Sequence, residues 1–244
     1  MTNQNPLDPK IAQNFHRILS RIASAARSVN REPSEICLVV VTKGHSLEKV
    51  KAVVAAGAKI LGENYVEEAL PKMEALNEET EIEWHMIGHV QSRKAHKVCE
   101  NFSYVHSLDS VKLARRLDHF AEEIGIKLPV LLECNVSGEE TKFGWQAFKE
   151  DCWFELLPKF DQILELPNIE ICGLMTMAPL LNNPEGTRPY FSRLFRLRNY
   201  LIENTEHGNW TELSMGMSAD FEVAIQEGAT LVRIGTAIMG ERDD

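Results

Sequence analysis

A (β/α)8 barrel is the fold class that this sequence predicts, and three observations predict it. Eight short β-branched or apolar runs alternate with longer segments of helical period between residues 36 and 235. Several helical segments stop at a glycine, as at Gly57, Gly125 and Gly228, where a helix end commonly turns into the left-handed region. No low-complexity linker, fixed-period repeat or break in composition divides the chain. Residues 1–244 therefore read as a single domain with a helical extension over residues 1–30. An open doubly wound sheet is the competing arrangement of the same elements.

The first helix is expected over residues 9–29, where Ile11, Phe15, Ile18, Leu19 and Ile22 recur at helical spacing behind an Asp8 cap and Pro9 at the first helical position. The first strand, residues 36–42, sets one apolar residue after another from Ile36 to Val41 and then presents Lys43. Further strands are expected over residues 58–62, 82–88, 103–107, 129–136, 169–175, 210–215 and 230–235. The helices between them are expected over residues 46–56, 64–76, 91–100, 109–124, 146–165, 187–205 and 219–227, several opened by Ser or Asp. In such a barrel the active site lies at the carboxyl ends of the strands, and phosphate is commonly held after the seventh and eighth.

Bulk properties bound the function. The chain has 244 residues, 44% of them hydrophobic, and a formal net charge of -10, which opposes non-specific binding to nucleic acid or an anionic membrane. The basic clusters "RKAHK" at 93–97 and "RLFRLR" at 193–198 are local exceptions, read as solvated helix faces or as a local anion or partner contact. Five cysteines, an odd number without CxxC spacing, fit buried small residues in a reducing compartment. The N-terminus carries no basic segment followed by an apolar run, and no window reaches the length of a membrane span, so a cytoplasmic protein is expected. The eight histidines show no zinc-ligand spacing.

Lys43 falls at the mouth of the expected barrel. It reads either as a strand-closing lysine that snorkels to water or as an amine nucleophile, partly desolvated and so more often neutral, that condenses with an aldehyde. Across the mouth, Ser214, Gly216 and Ser218 follow the seventh strand, and Gly235 and Thr236 follow the eighth. Small residues and hydroxyls let backbone N–H groups approach an anion, and a helix start near Ala219 adds partial positive charge. Against this, Ser218 is equally suited to cap its helix, and Asp220 and Glu222 repel an anion unless they turn outward. Arg233 alternates with Val232 and Ile234, so one of these faces lies inside the barrel. If Arg233 is the inward one it needs a partner, either an internal carboxylate such as Glu133 or a bound cofactor. Polar residues also end other runs: Glu63 and Asn64, His85 and His89, Asn135, and Thr176.

The motifs "VVTKG", "LGENYVEE", "WHMIGHVQSRK", "NVSGEETKFG", "GLMTMAP" and "LSMGMSADFEVAIQEGATLVRIGTAIMG" occur in one order between about residues 36 and 241. In these the chain resembles the pyridoxal-phosphate homeostasis protein family, single-domain relatives of the amino-terminal barrel of alanine racemase. The resemblance implies that Lys43 forms an aldimine with pyridoxal 5'-phosphate (PLP). It implies that Ser214, Met215 and Ser218, with Gly235 and Thr236, lie on the phosphate side, that Arg233 lies beside the cofactor, and that Asn64, His85 and Met175 line the pocket. Departures are small: Thr42 where serine is common, Ser92-Arg93 in "QSRK", and Met239 where phenylalanine is usual.

By the same resemblance, the expected function is to buffer or deliver PLP without catalysis, affecting amino- and keto-acid metabolism. Alanine racemase adds a β-rich domain and an opposing subunit with a tyrosine base. This sequence ends nine residues after Gly235, so no such domain is expected here. A PLP-dependent racemase-like enzyme is the alternative, and a cofactor-free Schiff-base aldolase acting on a phosphosugar is a third reading. The expected state is a monomer, with PLP-dependent apoenzymes as candidate recipients.

Overall fold

The computed structural model of the protein describes residues 9–78 and 81–242. Strands β1 (Cys37–Val41), β2 (Ile60–Glu63), β3 (Glu83–Met86), β4 (Tyr104–Leu108), β5 (Leu128–Asn135), β7 (Ile169–Met175), β8 (Glu212–Ser214) and β9 (Leu231–Ile234) are all parallel. Each pairs with the next in chain order, and β9 pairs back onto β1, so the sheet closes into the eight-stranded barrel that the sequence predicts. The short β6 (Trp145–Gln146) lies outside it, paired with the last residues of β5.

Alternation along the strands sorts side chains into two layers. Val40, Leu61, Val105, Leu132, Leu174, Leu213, Val232 and Ile234 belong to the large core shared with the helices. Val39, Leu231 and Ile87 form a separate cluster inside the barrel, as do Leu131, Cys172 and Met175. Strand β9 therefore turns Leu231 and Arg233 inward, resolving the choice of face.

Helices α2 (Leu47–Ala55), α3 (Val66–Ala75), α4 (Ala95–Asn101), α5 (Val111–Ile124), α6 (Leu157–Leu164), α7 (Arg188–Asn204) and α8 (Phe221–Gln226) surround the strands. Gly57, Gly125 and Gly228 all take positive φ at the helix ends where the sequence places them. The expected helix over 146–165 is instead β6, a 3-10 segment at Glu150–Glu155, and α6. Pro158 sits in the first turn of α6 and fixes its start, while Trp153 Nε1 donates to the Ala147 carbonyl at 3.0 Å and folds the preceding segment inward. One turn of helix, α9 (Thr236–Met239), follows β9 and is too short to leave a periodic trace.

Because α9 is only one turn, another element must cover that side of the barrel, and α1 (Pro9–Ser28) does so by packing against α2, α8 and α9. Ile11, Phe15, Ile18 and Ile22 form its buried face, while Leu19 is 40% exposed and lies off that face. Asn14 Nδ2 donates to the Ile238 carbonyl, and Arg21 makes a two-bond contact with Glu222. Asp8, the expected cap, lies outside the described residues. Of the five free thiols, burial pushes those of Cys37 and Cys99 up to about 12. No helix among the described residues is long and apolar enough to cross a membrane.

If α1 is part of the barrel wall, Ile18→Ala costs about 2–5 kcal/mol of stability by emptying a fully buried site. Leu19→Ala one position away costs under about 0.5 kcal/mol. Chemical denaturation midpoints measure both, and equal effects would mean that α1 is not docked as described.

Candidate functional site

At the carboxyl ends of the strands, a cavity of about 260 Å³ is lined by Lys43, Asn64, Ser218, Arg233, Gly235 and Thr236. These are six of the ten residues that the sequence nominates. Val41, His45, Ile87, Met177, Pro179, Leu180, Met217, Ala219, Asp220 and Arg242 complete the wall. A larger chamber of about 530 Å³ adjoins it through Asn64, Ile87 and Met177. Chemistry, not size, marks the smaller one as the candidate site, because Lys43 and Arg233 both face it.

Lys43 is half-buried, and among the described residues nothing hydrogen-bonds or ion-pairs with its amine. Burial lowers its pKa, and the Arg242 and Arg233 charges add to the effect, while Glu63 and Glu68 oppose it. An amine so placed is a better nucleophile than an exposed lysine. Its backbone is fixed by another lysine. Lys72, on α3 and only 7% exposed, donates to the Thr42 carbonyl, Glu63 Oε1 and Glu68 Oε1, each at 2.8 Å. Thr42 Oγ1 also donates to Glu63 Oε1 at 2.6 Å, and the Gly44 amide donates to Glu68 Oε1 at 2.5 Å. The residues on either side of Lys43 are thus tied to one buried cluster of charges. Burial holds the Glu63 carboxyl above its ordinary range despite Lys72 and Thr42. For Glu68 burial is outweighed by Lys72 and the Gly44 amide, which hold it below.

Arg233 is 4% exposed, and among the described residues it makes no ion pair. Glu133 is therefore not its salt-bridge partner. Its Nη1 donates to Ser214 Oγ at 2.5 Å and its Nη2 to the Thr176 carbonyl at 2.8 Å. Burial lowers its pKa to about 10, still above neutrality. A guanidinium can only donate, so the Ser214 hydroxyl accepts from it and turns its own hydrogen to His106 Nδ1, 2.9 Å away. Burial pushes His106 well below its ordinary pKa and His85 down to about 3, so both rings are neutral. His106 then carries its proton on Nε2 and donates to His85 Nδ1 at 2.9 Å. His85 is left protonated on Nε2, a buried atom without a hydrogen-bond partner, 3.7 Å from the Glu83 carboxylate.

Four of the nominated residues stand away from the cavity, two of them in this hydrogen-bond chain. Ser214 and His85 lie behind the wall, as the support of Arg233. Met175 is fully buried in the barrel interior against Leu131 and Cys172. Met215, next to the inward Ser214, faces outward into the core under the helices. None of the four side chains lines the 260 Å³ cavity.

The loop after β8 places the Ser218 hydroxyl and the Asp220 carboxylate on the cavity. Ser218 Oγ accepts the Ala237 amide at 3.2 Å rather than capping α8, which leaves its hydroxyl hydrogen to donate. Asp220 turns its Oδ1 back to the Met217 amide at 2.7 Å, and Glu222 points away to Arg21. Gly216 takes φ +92 where a Cβ would lie 2.5 Å from that of Ala224, and the loop closes onto α8 only without one. Other polar strand ends are structural: Asn135 Oδ1 accepts the Ser137 and Gly138 amides, and Thr176 Oγ1 donates to the Cys134 carbonyl. His106, Lys72 and Arg242 escaped the sequence reading, which named Asp220 only as a carboxylate that an anion would have to avoid. Asp220 and Met217 lie inside the motif quoted above, but Arg242 follows it in the charged run "ERDD", with no pattern to mark it.

The sequence matches the family model described as alanine racemase, N-terminal domain, over residues 13–243. It is 41% identical to a pyridoxal phosphate homeostasis protein of Aquifex aeolicus over 94% of this chain and 97% of that protein. Among solved structures, an unknown protein from Bifidobacterium adolescentis is similar with a TM-score of 0.85 at 33% identity, covering 97% of each chain. PipY of Synechococcus elongatus, with PLP bound, is similar with a TM-score of 0.78 at 36% identity, over 91% of this chain and 100% of that one.

Two outcomes follow from the site's supports. Lys72→Met leaves Glu63 buried without its cation and costs about 3–5 kcal/mol, measured by chemical denaturation. Lys43→Ala, which breaks no hydrogen bond, costs much less. Nitrogen-15 shifts of His85 and His106 report neutral Nε2–H tautomers that stay unchanged from pH 8 down to about pH 5; the reverse tautomer in either ring contradicts the donor chain.

Proposed function

The chain belongs to the pyridoxal phosphate homeostasis proteins, whose fold is that of the alanine racemase N-terminal domain, and on that premise we propose that it binds PLP in the Lys43 cavity as an intracellular store or carrier. One observation carries the assignment: a desolvated lysine amine, without a partner among the described residues, shares one cavity with a buried arginine and the hydroxyl residues Ser218 and Thr236. When bound, PLP supplies an aldehyde that a neutral amine can capture as an aldimine, and a phosphate dianion.

The chain's own residues divide the work. Lys43 offers the amine, and its lowered pKa enlarges the neutral fraction near pH 7. Ser218 and Thr236 offer hydroxyl donors to the phosphate, and Gly235 leaves room, since a Cβ there would lie 3.3 Å from that of Val41. Arg233 presents a cation whose direction is set before any ligand arrives. The match to the racemase domain favours racemisation as a second reading. That reaction needs a proton acceptor and a donor on opposite sides of one carbon. Among the described residues no tyrosine lines the Lys43 cavity, and its Asp220 is engaged with the Met217 amide. The same arrangement favours a carrier over a racemase, and we propose that it hands the aldehyde to PLP-dependent apoenzymes as a cytoplasmic monomer.

Absorbance titration tests this reading. PLP is expected to give a visible band that is absent in Lys43→Ala, forming at lower pH than an ordinary lysine allows. Ser218→Ala with Thr236→Val weakens PLP by about tenfold or more, and leaves pyridoxal, which lacks the phosphate, unaffected. Equal loss for both ligands would remove the phosphate from this loop. Chiral analysis after incubation with L-alanine is expected to show no racemisation, and efficient racemisation would make the protein an enzyme.

A further inference from the structure

The 530 Å³ chamber beside the Lys43 cavity is a different chemical environment. Its innermost charged residue is Glu133, from β5, which is 3% exposed and lines the chamber. Among the described residues nothing hydrogen-bonds or ion-pairs with that carboxylate. A buried carboxylate open only to a cavity is waiting for a donor, since its desolvation is otherwise uncompensated. Burial and the neighbouring Asp109 charge push its pKa up to about 7, against the pull of Arg233. The Glu133 carboxylate in the chamber wall disfavours an anion there and favours a cation.

The outer wall has the opposite character. Lys94 is already paired with Glu67, and His89 with Asp109 at 2.9 Å. Arg93 is exposed, reaches only the Gln91 amide oxygen at 3.1 Å, and has no carboxylate partner among the described residues. Between these ends lie apolar and aromatic surfaces: the Phe143 ring, 53% exposed and stacked on His89 with centroids 4.0 Å apart, the 64% exposed Tyr65, and Met177. An unpaired acid inside, an unpaired cation outside and rings between them describe one ligand class.

We infer that this chamber binds a free amino acid with an apolar side chain, its ammonium on Glu133 and its carboxylate toward Arg93. Asn64, Ile87 and Met177 form a wall common to both spaces, so an amine bound here stands next to the Lys43 cavity. Glu133 then takes one proton from the ammonium, leaving the carboxyl protonated and the amine neutral. This significance rests on the PLP reading above, because only an aldehyde at Lys43 gives a neutral neighbouring amine something to displace. Displacement would form a carbon–nitrogen bond to the amino acid as the one to Lys43 breaks, with an amine proton passing to the Lys43 nitrogen, so the aldehyde would leave Lys43 as the imine of the amino acid.

Titration calorimetry on the full chain, freed of PLP, separates the two claims, since the PLP band scores the first and amine binding the second. L-phenylalanine is expected to bind saturably and 3-phenylpropanoate, which lacks the amine, not to bind. Glu133→Gln should weaken L-phenylalanine by about tenfold or more. Arg93→Ala, at an exposed position, should weaken L-phenylalanine and spare phenethylamine, which lacks the carboxylate. The inference is overturned if 3-phenylpropanoate binds as well as L-phenylalanine, if a folded Glu133→Gln binds it unchanged, or if no saturable binding occurs up to its solubility limit.

Discussion

A guanidinium buried at the mouth of the barrel, without a carboxylate in contact among the described residues, is the constraint on which the rest of the site depends. Arg233 must be satisfied by acceptors, and it finds them in a serine hydroxyl and a peptide carbonyl. That choice propagates through the serine, because a hydroxyl that accepts from a guanidinium must turn its own hydrogen to another acceptor. Ser214, His106 and His85 are thereby oriented in one direction through the barrel interior, with both rings neutral. The charge is not cancelled, so a positive potential survives where an ion pair with Glu133 would have erased it. The cavity can therefore attract an anion without reorganising.

Lys43 and Lys72 show how position decides the role of one residue type. Lys72 is given three oxygens at 2.8 Å and becomes a structural cation; Lys43, one residue beyond a carbonyl that Lys72 holds, is given none among the described residues. The two are coupled through Thr42, Gly44 and the shared carboxylates. The fixed lysine holds the backbone of the free one, so the reactive amine can be solvated poorly without its strand end becoming loose. Thr42 takes part through its hydroxyl as well as its carbonyl, which gives a physical reason for a hydroxyl residue at that position.

Much of this was legible from the residues. Lys43 stood out because an apolar run stopped at a charge, and Arg233 because a charge alternated with Val232 and Ile234. The glycine stops at 57, 125 and 228 located helix ends because only a left-handed residue ends those helices in that way. What remained hidden was whatever depends on contacts distant in sequence. His106 sits inside a strand with nothing nearby to announce it, and the Lys72 cluster joins residues 42, 63, 68 and 72 through space. Motif membership also failed to say which face a residue shows. Ser214 and Met215 are consecutive, so both cannot point toward the barrel axis, and period-two alternation sends Met215 into the helix layer. The broken segment over 146–165 shows the same limit, since a helical spacing of apolar residues served a two-residue strand and a 3-10 turn as well.

The basic cluster at 193–198 is a partnered helix face, where Arg196 and Arg193 share Glu150 and Arg198 lies over the Phe195 ring, whereas in the cluster at 93–97 Lys94 pairs with Glu67 and Arg93 reaches only Gln91. That leaves the barrel mouth as the place where cations are held for a ligand rather than for each other. Borohydride reduction of the PLP-treated protein, followed by peptide mapping, tests this account most directly. A reduced pyridoxyl group on the peptide containing Lys43, and on no peptide containing Lys72, is the predicted result. Label spread over surface lysines with Lys43 unmodified would contradict it.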